Sequence, residues 1–179
     1  MEGYKKLSSY VLAVVICDLT VKFCERFIDQ RSRTVDQMVQ AARSGKQNIA
    51  EGYTVESLES YLKLLGVADG SIKELACDYE DFLRQHELIT WSKDDPRVRA
   101  FRAFRAVWKS PNLPNTPNLP NNPEKSANML LTFCQMESYL LRRQIEALKE
   151  KFVQEGGFRE NLFKQRLAYR TKTNYNNRN

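Results

Sequence analysis

Glycine and proline are scarce, seven and six residues in a chain of 179, and five of the prolines crowd into 111–123. Outside that stretch little interrupts a helix, since these two residues carry the largest helix penalties. Long apolar runs are also missing. The longest, Val11 to Cys17, has seven residues, against the ~20 that a membrane-crossing helix needs. Cysteine is limited to four residues and histidine to His86 alone. Cys17 and Cys24 fall about 10 Å apart along one expected helix, too far to bridge, and no C-x-x-C occurs. Zinc sites and redox pairs at recognised spacing are therefore excluded, and the cysteines read as small core residues. The first nine residues lack the apolar centre of a signal peptide, so a cytoplasmic protein is expected.

Charge is unevenly spread. Residues 1–90 hold 11 Lys and Arg against 14 Asp and Glu, net −3, whereas residues 91–179 hold 17 against 8, net +9. An anionic partner is expected to meet the second half.

Apolar residues recur at helical spacing. Leu12, Ile16, Leu19, Phe23 and Phe27 form one stripe, with Tyr10, Val14, Cys17, Val21, Cys24 and Ile28 beside it, which predicts a helix over 8–30 capped by Ser8 or Ser9. Thr34 is the expected cap of a second, 34–51, in which Gly45 implies close helix approach. In a third, 55–86, Leu58, Tyr61, Leu65, Ala68, Ile72, Leu75, Tyr79 and Phe82 alternate by three and four. The fourth, 124–154, repeats the pattern from Ala127 through Leu131, Cys134, Ser138, Leu141, Ile145 and Leu148 to Phe152. A sustained 3.5-residue period means shallow-angle packing along the whole length. The expected fold is all-α, an antiparallel up-and-down four-helix bundle over 1–154.

An insertion, 94–123, separates the third and fourth helices. It opens on Asp94, Asp95 and Pro96, a cap followed by a first-turn proline, and continues as a short basic helix: Val98, Phe101, Phe104 or Arg105, and Trp108 on one side, Arg99, Arg102, Arg105 and Lys109 on the other, with Arg97 a further cation for phosphate. Its apolar side suits docking on the bundle and its arginines suit phosphate, and the two are compatible. Then Pro111, Pro114, Pro117, Pro120 and Pro123 fall at every third residue, the period of a polyproline II connection roughly 35 to 40 Å long. Residues 155–179 are a basic tail, partly helical or disordered, in which Arg159, Lys164, Arg166, Arg170 and Lys172 alternate with Phe158, Phe163, Tyr169 and Tyr175. Cations for phosphate and rings for unstacked bases suit RNA or single strands; a solubilising terminus has the same composition.

The segment FCERFIDQRSRTVDQMVQAARSGKQNIAEGY, residues 23–53, resembles the signature of the four-helix-bundle family of bacterial 23S ribosomal RNA intervening-sequence proteins. Residues 87–170, with DYEDFLRQ just before them and GGFRENLF near their end, are similar to its four-helix-bundle suffix branch. That superfamily includes the accessory variability determinants of diversity-generating retroelements. The resemblance implies a pentameric ring that binds a reverse transcriptase and nucleic acid, and it singles out Arg31, Arg33, Asp36, Gln37, Arg43, Lys46, Asn48, Glu51 and Gly52. Solvated salt links and caps explain the same polar residues, with Asn48 and Glu51 organising a turn at Gly52.

No catalytic pattern emerges. Glu74, Asp78, Glu80 and Asp81 read as a solvated helix face, and Cys77 and His86 fall on different faces. No catalytic residue, cofactor or metal ligand is assigned. The expected function is that of a non-enzymatic, oligomeric accessory protein binding RNA, DNA or a nucleic-acid enzyme; the alternative is an adaptor for an acidic protein partner.

Overall fold

The computed structural model describes residues 3–103 and 117–176. A 3-10 turn, Gly3–Lys6, leads into helices α1 (Ser8–Phe27), α2 (Arg33–Thr54), α3 (Leu58–Gln85), α4 (Pro96–Ala103), α5 (Pro123–Glu155) and α6 (Phe158–Asn176), with no strand among the described residues. The chain is all-α.

Four of these helices close a circuit: α1 packs on α2 and α5, and α3 packs on α2 and α5. The heptad positions supply the core. Leu65, Ala68, Ile72, Leu75, Tyr79 and Phe82 of α3 are buried, as are Leu131, Cys134, Ser138 and Leu141 of α5 and Leu12, Ile16, Leu19 and Phe23 of α1. Phe23 meets the rings of Tyr79 and Phe82 edge-on, centroids 5.1 and 4.9 Å away. Across the circuit, Ser9 and Tyr61, near the starts of α1 and α3, both meet Gln144 in α5, at 2.8 and 2.6 Å. The fully buried phenol of Tyr79 bonds Thr20 at 2.9 Å, and burial pushes its pKa well up.

Helix ends depart from the periodic reading where side chains find other work. Ser9 donates to Gln144 instead of capping α1, whose cap residue, Leu7, has no side-chain bond. α1 stops at Phe27 because Ile28 is extended, and the Gln30 amide then ties the end down by donating to the carbonyls of Cys24 and Ile28. Ser32, not Thr34, caps α2, accepting from the Thr34 amide at 3.2 Å. The expected turn at Gly52 is absent: α2 runs through it to Thr54, and α3 starts at Leu58 behind its Ser57 cap. Gly52 serves packing instead, since a Cβ there would lie 2.7 Å from the Tyr61 ring. Gly45 meets the expectation of close approach, with Ile72 only 2.8 Å from where its Cβ would stand.

Within the basic tail, Phe158–Asn176 is helical. Gly156, at φ 78, ends α5 in a conformation open to glycine, and α6 follows. Of the proline series, Pro111 and Pro114 lie outside the described residues. Pro117 and Pro120 sit in irregular chain, but Pro123 is the first residue of α5, so the connection has ended before it. Asn122 caps that helix by accepting from the Lys125 amide at 2.8 Å. Replacing Asn122 by Ala should cost about 1 kcal/mol in a urea titration, and Ser should restore most of it.

Candidate nucleic-acid interface

The expected basic surface divides into two parts with different surroundings. In the first, α4 lies on α5 through Val98 and Phe101. What holds it is Trp91, in the loop before it. The Trp91 indole donates to Glu124 at 2.8 Å, its backbone amide donates to Asn128 at 2.8 Å, and its ring stacks on Phe101 at 6.2 Å. Asn128 in turn donates to the carbonyls of Ile89 and Glu124, both at 2.8 Å. The loop is thereby stitched to the first turn of α5.

Arg97 belongs to this joint. Its guanidinium lies 3.6 Å from the Trp91 ring centre and pairs with Asp95 at 2.8 Å. Hydrogen bonds from Arg97 hold the Asp95 carboxyl below the usual range, and Asp95 raises Arg97 in return. Arg97 is committed to the fold more than the other cations of α4. Arg99 and Arg102 are exposed and donate to the carbonyls of Asp94 and Lys93, at 3.0 and 3.5 Å. Arg105, Lys109, Phe104 and Trp108 lie outside the described residues. Beside Arg102 opens an apolar groove of about 340 Å³ walled by Met136, Tyr139 and Leu140 of α5.

The second part is α6. Arg159, Arg166 and Arg170 are exposed, Lys164 pairs with Glu160 at 2.7 Å, and Lys172 falls within the same helix. The Lys164 hydrogen bond holds the Glu160 carboxyl below its ordinary range. Among the described residues, α6 shares a cleft with the start of α3 but packs along no other element. Phe158, Leu162, Phe163, Leu167 and Tyr169 stay 46–73% exposed.

The residues singled out by resemblance do not converge. Arg31 and Arg33 are exposed where α2 begins, Arg31 donating its amide to Asp29 at 3.0 Å, and Asp36 sits in the first turn. Gln37 lines an end cleft whose Asp29, Asp78 and Asp81 make it acidic, unsuited to phosphate. Burial, then Glu74 and Asp81, push Asp78 up to about 6. Arg43 and Lys46 face Cys17 of α1, both offsetting the burial that raises its thiol. Asn48 donates to the Ser44 carbonyl at 2.8 Å, while the Ser44 and Ser71 hydroxyls join at 2.8 Å, tying α2 to α3. Glu51 is exposed beside buried Gly52.

Burial pushes Cys24 up to about 11 and Cys134 higher still, and His86 is occupied by the Phe82 carbonyl at 2.9 Å. Among the described residues, no group of three or more His, Cys, Asp or Glu side chains is placed to hold a metal, and no helix is long and apolar enough to cross a membrane.

One group escaped the sequence reading altogether. Glu137 is fully buried in α5, and among the described residues neither carboxylate oxygen has a hydrogen-bond partner. Its neighbour Ser138 donates to Asp69 of α3, which also pairs with Lys73 at 2.5 Å. No protein-family model matches the chain, and no curated protein or solved structure matches it either.

Proposed function

We propose that this chain is a non-enzymatic, oligomeric accessory protein of the cytoplasm that binds RNA or DNA, or an enzyme acting on them such as a reverse transcriptase. Its scaffold on this reading is an antiparallel up-and-down four-helix bundle akin to the ribosomal RNA intervening-sequence proteins. The observation that carries it is α6: exposed Arg159, Arg166 and Arg170 beside exposed Phe163 and Tyr169, on a helix offered to solvent. Cations that meet phosphates and rings that meet bases are what sequence-tolerant binding of single strands uses. Arg99 and Arg102 on the docked α4 add a second cationic patch, and Arg97 serves as its fastener.

Titration of labelled single-stranded and hairpin RNA tests this. Changing Arg159, Arg166 and Arg170 to Gln should weaken binding to every sequence alike and flatten the log-log salt slope by about 2 to 3. Changing Arg97 to Gln should act mainly on stability. Wild-type protein that binds no RNA or DNA at low salt would favour the adaptor reading, which the exposed Leu162, Phe163 and Leu167 also suit.

A further inference from the structure

Helix α3 carries two heptad stripes. One faces the core. The other, Lys63, Val67, Gly70, Glu74, Cys77 and Asp81, repeats at four and three and is exposed throughout. Gly66 and Gly70 belong to this outer face, and a Cβ added at either would meet nothing within 4 Å. A glycine inside a helix costs about 1 kcal/mol relative to alanine. At Gly45 and Gly52 close packing within the protomer accounts for that cost; at Gly66 and Gly70 no described residue does. Together with Val67, 46% exposed, they form a shallow trough. Carboxylates continue it, with Glu74 and Asp81 crowding Asp78; Asp81 also pairs with Arg84 at 2.6 Å.

Helix α6 has the complementary features. Arg159, Phe163, Arg166 and Arg170 repeat at four, three and four, and Leu162 and Leu167 flank them, all exposed. The stripe from Lys63 to Asp81 and the helix from Phe158 to Asn176 each span 18 steps, about 27 Å at the helical rise. Bulky apolar groups on a basic helix fit a trough of small residues edged by carboxylates. The trough of the same protomer is the wrong receiver, since Arg159 already shares a cleft with Lys63. Folding α6 back along α3 would set these like charges together and leave Asp81 uncovered.

We infer that α6 docks antiparallel along the outer face of α3 of a second copy, Phe163 near Cys77, Leu167 within a turn of Gly70, and Arg159 and Arg166 against Asp81 and Glu74. This names the surfaces of the self-association proposed above, and it makes nucleic acid and a second copy compete for Arg159, Phe163 and Arg166, so that the docked state leaves phosphate the α4 patch of Arg99 and Arg102. The contact joins two different faces, so it propagates into a ring or a chain of copies.

Sedimentation velocity of the full chain without nucleic acid, across the micromolar range, tests it. A tail variant (Arg159→Glu with Arg166→Glu) and a face variant (Glu74→Lys with Asp81→Lys) should each lose more than about 100-fold in association, since like charges then oppose each other. Mixed, they should associate again, because every α6 once more finds a face of opposite charge. Gly70→Leu should block docking while the thermal midpoint holds or rises, since the added side chain meets open space and favours helix. Four outcomes would overturn the inference: a monomeric wild type, a mixture that stays monomeric, Gly70→Leu protein that associates like wild type, or association sensitive to α3 changes but not to α6 changes. A monomeric wild type would also remove the oligomer from the proposed function; the other three leave it standing on different surfaces.

Discussion

Replacing Glu137 by Gln should make the protein more stable than wild type at pH 8 and nearly equal to it at pH 4.5. The side chain is fully buried with both oxygens unpartnered, and burial, reinforced by Asp69, raises its pKa well above the ordinary 4.5. Folding therefore favours the protonated acid. A raised folded pKa gives stability that is complete below the unfolded value and drains as pH climbs from about 4.5 toward the folded one. The loss approaches 1.4 kcal/mol per pH unit while the unfolded chain is ionised and the folded one is not. Asp78, raised to about 6, adds a slope of the same sign, and thiols such as Cys24, raised to about 11, act only in the alkaline range. Between pH 6 and 8.5 the slope is assigned to Glu137. Urea titrations of both proteins over that window measure it, and parallel profiles would show that the carboxyl finds a partner in solution. Leu at this position should gain about 1–3 kcal/mol even at pH 4.5, because it also removes the unsatisfied polar group.

Glu137 shows where a periodic reading of the sequence stops. The interval rule marks Ser138 as the inward position of α5, and Ser138 is indeed buried. The inward face is wider than one residue, however, and Glu137 is carried inside with it. Period alone registers which residues recur, not how broad the buried arc is. The same rule located the core of α3 well, because each of its inward positions from Leu65 to Phe82 is a residue that burial favours. Gly45 and Gly52 show the complementary weakness. Both are glycines in one helix, and one was taken for close approach and the other for a turn, although the neighbouring helix needs both for space. Helix ends failed for a related reason, since Ser9 finds a distant acceptor that local sequence does not display.

The candidate site was legible as composition and less so as geometry. The run from Arg97 to Arg102 marks a cationic helix, but its members are not equivalent. Asp95, two residues before Arg97, was read only as a cap; the structure shows it also holding the guanidinium beside the Trp91 ring. Trp91 itself was invisible to pattern analysis. It sits in a loop with no period, and its partners, Glu124 and Asn128, lie 33 and 37 positions away.

That joint should be the largest single anchor of α4. Changing Trp91 to Ala is expected to cost about 3–5 kcal/mol, the range for deleting a buried aromatic side chain. It removes the stack on Phe101, the platform beneath Arg97 and the indole bond to Glu124 together. Phe at the same position keeps a ring for Phe101 and Arg97 and loses only the bond, so about 1 kcal/mol should go, plus whatever Glu124 loses by standing unpaired. The position of the loss matters as much as its size. Hydrogen exchange should accelerate in Pro96–Ala103 of the Ala variant and stay slow in α3 and in the later turns of α5, because among the described residues α4 packs chiefly on α5. Uniform acceleration would mean that Trp91 supports the bundle itself. A loss near 1 kcal/mol with unchanged exchange would mean that α4 is held by Val98 and Phe101 without it. With α4 released, Arg99 and Arg102 lose their fixed orientation but keep their charge. RNA affinity should then fall less than it does when both are changed to Gln, and the salt slope should remain, since the number of cations available to phosphate is the same.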